Sequence, residues 1–121
     1  MSENVIDLDI LKPQERYVKL HGETIDVSFV PVGATFEIDA LIREMSLIDK
    51  EKIDAGDVKE NESAFNLAVR LAAAFCRRSH PKFDEEFFKK SVNSRQLGVL
   101  VQAIRDALND SYRGVEEYGK N

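Results

Sequence analysis

The sequence predicts a mainly α protein of the α+β class, an N-terminal β-hairpin followed by a compact bundle of three to four helices. Three observations carry this reading. Residues 24–29 alternate polar and apolar with a period of two. Ile38, Leu41, Ile42, Met45 and Ile48 recur with a helical period. The stretch Ala64–Cys76 is apolar on nearly every side, as suits a helix at the centre of a domain. At 121 residues the chain has the length of one domain. About two-thirds of its unfolded surface can be buried at that size, so a core forms without staples.

Each element can be justified in chain order. Residues 1–13 are acidic and apolar by turns and end at Pro13, too short for a stable lone helix. They read as an arm that is either docked or free. The hairpin spans 16–30. A two-residue His21-Gly22 loop places Val18 opposite Ile25 and Lys19 opposite Thr24, with Gly22 supplying the positive φ of the turn. Ile25, Val27 and Phe29 then share the apolar face. A lone hairpin is marginal in water, so that face must lie on helices or on another copy.

The first helix is expected over about 36–55, with Thr35 as N-cap and Gly56 as the stop. The second runs over about 58–78, opened by the box-like Asp57-Val58-Lys59-Glu60 and broken by Pro81. Five alanines within it permit close helix approach. A short helix over about 84–90 carries acids first and lysines last, matching the helix dipole. Ser94 caps a last helix over about 94–112, whose apolar positions are Leu97, Leu100, Val101, Ile104 and Leu108. Gly114 ends it, and 115–121 form a frayed tail.

Composition narrows function. Seventeen basic and 22 acidic residues give a net charge of −5, which argues against a nucleic-acid or anionic-membrane binder. The last helix mixes Arg95, Arg105 and Arg113 with Asp106 and Asp110, a poor DNA reader. One cysteine excludes an internal disulfide. No apolar run is long enough to span a membrane, and the start lacks a signal peptide's regions, so a soluble cytoplasmic protein is expected.

No catalytic, cofactor or metal constellation emerges. His21 and His80 read as turn and loop residues outside any ligand spacing. Cys76 ends an apolar helix and reads as a small core hydrophobe, despite the adjacent Arg77 and Arg78. The acidic 49–62 stretch fails the calcium-loop pattern, since Glu51, Ile53 and Ala55 fall where the first ligands belong. Residues 77–95 hold six basic and three acidic side chains, either an acidic partner's dock or ordinary helix ends. Phe83 and Phe87 share one helix face and Phe88 is turned by ~100°. One of these rings points away from the core unless the helix is buried on two sides, and aromatics anchor interfaces. The candidate protein-binding residues are therefore Val5, Ile6, Leu8, Ile10 and Leu11 of the arm, with Phe87 and Phe88.

Several segments carry a resemblance. They are the lead Leu8-Asp9-Ile10-Leu11-Lys12-Pro13 and the hairpin Tyr17 to Val27. They continue with Val30-Pro31-Val32-Gly33-Ala34-Thr35-Phe36, then Phe83-Asp84-Glu85-Glu86-Phe87 and Ser94-Arg95-Gln96-Leu97. Over about residues 8–112 this order resembles the small tail assembly chaperones of long-tailed bacteriophages and prophages. The resemblance implies a non-enzymatic protein of the host cytoplasm that binds the tape measure protein, or another phage tail protein, and keeps it soluble during tail assembly. It also implies the shorter of two products made by a programmed frameshift, and possible self-association along a long client. No cofactor, nucleic acid, membrane or small-molecule substrate is implied. The alternatives are a small structural phage protein, such as a connector or completion protein, and a small helical regulator.

Overall fold

A computed structural model describes the backbone of residues 5–119 and the side chains of residues 5–111. The order is a short 3-10 turn at Leu8–Leu11, β1 (Tyr17–Leu20), β2 (Glu23–Asp26), α1 (Val32–Ser46), α2 (Lys50–Asp54), α3 (Val58–Cys76), α4 (Glu85–Ser91) and α5 (Ser94–Gly119). The molecule is mainly α with one antiparallel hairpin.

The hairpin has the register expected from its turn: Val18 faces Ile25 and Lys19 faces Thr24. Both loop residues are left-handed, His21 at φ 51° and Gly22 at φ 80°, as a two-residue turn of the I′ kind requires. The strand ends at Asp26, and the alternation of buried and exposed residues continues to Val27 and breaks at Ser28. The Ser28 amide donates to Asp26 Oδ1, and Ser28 Oγ accepts from the Arg16 amide and donates to the Arg16 carbonyl. This clamp turns Ser28 and Val30 inward and leaves Phe29 44% exposed. Phe29 therefore does not share the core face with Ile25 and Val27, contrary to the alternation pattern.

The stretch expected as one helix over 36–55 is two. α1 starts at Val32, directly after Pro31, and Thr35 is inside it, its hydroxyl donating to the Pro31 carbonyl. It stops at Ser46, and Asp49 caps α2 by accepting from the amides of Glu51 and Lys52. A second strong cap inside the stretch competes with helix continuation. Gly56 is left-handed, and Asp57 caps α3 through the Glu60 amide. From Leu71 to Cys76 every residue of α3 is buried, and α3 packs against α1, α2, α4 and α5.

Asp84 caps α4. For α5 the cap is Asn93 rather than Ser94: Asn93 Oδ1 accepts from the Gln96 amide while Gln96 Oε1 accepts from the Asn93 amide. This reciprocal box satisfies two otherwise orphaned donors. Gly114 does not end the helix, which continues to Gly119. A single interior glycine costs only about 1 kcal/mol and needs a left-handed cap to act as a stop. Of the expected tail, residues 120–121 lie outside the described residues, as do residues 1–4 of the arm.

The core joins Leu20, Ile25 and Val27 of the hairpin segment to Ile38, Leu71, Phe88 and Ile104 of the helices. The apolar hairpin face thus lies on the helices of its own chain. The accessible surface is 8830 Å², above the ~6,600 Å² of a compact monomer of this mass. Part of the excess is the arm, exposed at every described position.

Candidate functional site

The nucleophile and ligand candidates resolve into structural roles. Cys76 is fully buried at the end of α3, and burial pushes its thiol up to about 12. A thiol held in that state is not a nucleophile at neutral pH. Among the described residues no group of three His, Cys, Asp or Glu side chains is placed to hold a metal ion.

The two histidines, nearly sixty positions apart in sequence, meet around α4. His21 sits edge-on to Phe87 at 5.0 Å, and its Nε2 is 2.8 Å from the Ser91 carbonyl. His80 stacks on Phe83 at 5.4 Å, with Nδ1 2.8 Å from Ser79 Oγ and Nε2 3.8 Å from Glu23 of the hairpin. Phe83 stacks on Phe87 at 4.5 Å, and Phe88 meets both edge-on. The hairpin tip and the two ends of α4 thus close over one aromatic cluster. Of the aromatic binding candidates, Phe88 is 0% exposed and presents nothing to a partner. Phe87 is half-buried against the core. The expectation that Phe88 forms part of a binding face is corrected, because its ring lies wholly in the core, whereas Phe87 keeps part of its surface in solvent.

The arm differs. Val5, Ile6, Leu8 and Ile10 are each 67–69% exposed and Leu11 is 46% exposed. Its described residues form a 3-10 turn at Leu8–Leu11, capped by Asp7 Oδ1 on the Asp9 amide.

A second exposed apolar surface lies on α1. Val32 is 88% and Phe36 89% exposed, and Leu47, just past the helix end, is 82% exposed. At 100° per residue these three fall on one stripe with Ala40 and Arg43, opposite Ile38, Leu41 and Met45. Periodicity finds this stripe only once the helix starts at Val32. A start at Phe36 leaves Val32 in a loop and Phe36 as an isolated first residue.

Three of the six basic residues of 77–95 are engaged by neighbouring groups. Arg77 reaches Glu37 at 3.5 Å, Arg78 donates to the Gly33 carbonyl, and Lys90 pairs with Glu86. Arg95 instead lines a groove of about 250 Å³ between β1 and the start of α5, with Val18, Lys19, Leu20, Val99 and Leu100. What the described surface offers is apolar area edged by charge, suited to binding a chain segment. No described helix is long and apolar enough to cross a membrane. Comparison with protein-family models, with curated proteins and with solved structures finds no match.

Proposed function

We propose that this chain is a non-enzymatic tail assembly chaperone of a phage or prophage. In this reading it shields apolar segments of the tape measure protein until the tail tube encloses them. The supporting observation is the set of large apolar side chains left in solvent by a molecule whose core is otherwise complete: Leu8 and Ile10 on the arm, Val32 and Phe36 on α1. Isolated exposed apolar residues are ordinary, but grouped ones mark interaction surfaces. A net charge of −5 keeps such a surface soluble. The resemblance of residues 8–112 to the tail assembly chaperones supplies the client class. Many copies holding weakly along one long helical client would gain avidity from multivalency. No nucleotide, metal or covalent step enters.

The test is co-expression with the long, helix-rich tail protein of the same phage. The client should move from the insoluble to the soluble fraction with the native chain. It should return to the pellet when Val32 and Phe36 are replaced by Ser together with Leu8 and Ile10. Finding the native chain in finished virions, or a client equally soluble without it, would overturn the reading in favour of a structural component.

A further inference from the structure

The hairpin has an open edge beside a groove, and the arm has the pattern to fill it. The Val27 amide donates to the Arg16 carbonyl at 2.9 Å, so Arg16 and Val27 form a hydrogen-bonded pair. Alternation along the ladder makes Val18–Ile25 and Leu20–Glu23 bonded pairs as well. The amides and carbonyls of Tyr17 and Lys19 therefore point away from β2, to the outer edge of β1. No bond from these groups occurs among the described residues. The groove runs along this edge: Val18, Lys19 and Leu20 form one wall, and Arg95, Val99 and Leu100 of α5 stand across from it. No β2 residue lines it. Its floor is apolar, and its two charges are cationic.

The arm alternates to match. In extended form Ile6, Leu8 and Ile10 fall on one face, with Asp7 and Asp9 on the other. Paired with β1, the apolar face joins Val18 and Leu20 against Val99 and Leu100. The two aspartates share the outer face with Lys19. The 3-10 turn now at Leu8–Leu11 buries no residue, so little opposes its unwinding. The arm's own linker leads elsewhere. Lys12, Pro13 and Glu15 lie against Tyr17, Asp26, Ser28 and Phe29 at the hairpin's open end, and none of these residues lines the groove beside α5.

The geometry points to arm exchange: residues 6–10 of one copy add as a strand to the β1 edge of a second copy, in the groove beside α5. Strand addition takes affinity from main-chain bonds and specificity from alternate side chains. The inference does not depend on the nature of any client.

The experiment is analytical ultracentrifugation of the full chain and two variants. One variant disables the arm, Leu8→Asp with Ile10→Asp. The other disables the groove, Val99→Asp, at a site 63% exposed where substitution should leave folding intact, to be checked for both by circular dichroism. The native chain should self-associate with a dissociation constant on the order of 10–100 μM. Each variant alone should weaken association at least tenfold, and an equimolar mixture should recover it, since one variant retains a groove and the other an arm. A native chain that stays monomeric at about 0.5 mM overturns the proposal, whether its arm amides are exchange-protected on its own groove or its groove fills only when a different protein is added. Variants that associate like the native chain, or a mixture no better than its parts, also overturn it.

Discussion

The α4 region and the N-terminal arm are both dense in large apolar residues beside acidic ones, yet they end in opposite environments. Phe83 and Phe88 are buried and Phe87 half-buried, while the arm's Val5, Ile6, Leu8 and Ile10 stay about two-thirds exposed. Composition does not separate them. The difference lies in what the chain brings against each. Around α4, the hairpin tip supplies His21, the loop before the helix supplies His80, and α3 packs from behind. The arm's large apolar side chains from Val5 to Leu11 stay in solvent. An apolar run is core when several elements converge on it, and stays in solvent when none does.

The comparison can be broken by mutation. Phe88→Ala should cost about 3–5 kcal/mol through lost burial and a residual cavity, a large part of a typical total stability. Urea denaturation followed by circular dichroism measures it, and a loss below about 1 kcal/mol would mean that α4 is not closed over. Next comes Ser28→Ala, which leaves the part-buried Arg16 amide without its acceptor, while the Arg16 carbonyl keeps the Val27 amide. About 1–3 kcal/mol is expected, together with faster amide exchange at Arg16.

Cys76 sharpens the buried side through pH. Its folded thiol is raised to about 12 by burial, while in the unfolded chain it titrates near ~8.5. The native state therefore keeps a proton that the unfolded chain releases. The stabilising contribution is complete below ~8.5 and declines as pH rises toward about 12, at up to about 1.4 kcal/mol per pH unit. Comparing native and Cys76→Ala stability at pH 7 and pH 10 isolates this slope, and parallel pH profiles would exclude it.

The smallest effect belongs to the open side. Ile10→Ser should change monomer stability, measured at low concentration, by no more than about 0.5 kcal/mol. A loss as large as that of Phe88→Ala would show that the arm is anchored to its own domain.

Much of the fold is written in short-range rules. The register of the hairpin follows from His21-Gly22 and the placement of Val18 and Ile25, because a two-residue loop allows one pairing. Asp57 and Asp84 announce the starts of α3 and α4, since a carboxylate there satisfies free amides. The misplacements are equally physical. Thr35 has a capping side chain, yet Pro31 is the N-cap four residues earlier, where its carbonyl accepts from the Ala34 amide and the Thr35 hydroxyl. Asn93 outdoes Ser94 because only it has Gln96 at the distance for a reciprocal box. Gly114 lacks a left-handed cap geometry and the helix runs through it. The exposed stripe of α1 is hidden in the sequence for the same reason as its start: a helix face cannot be read until its first residue is known.

Periodicity, capping and turn chemistry act over four or five residues, so the class, the order of a hairpin before helices and many of the positions facing a core could be read directly from the chain, but not the split of 36–55 into two helices or the outward turn of Phe29. Which apolar cluster closes and which stays open could not. That outcome depends on His21 and Glu23 meeting Ser91 and His80 across about sixty to seventy positions, and on β1 keeping an unpaired edge beside α5. Packing between distant elements decides it, because burial is a property of neighbours rather than of the residue itself.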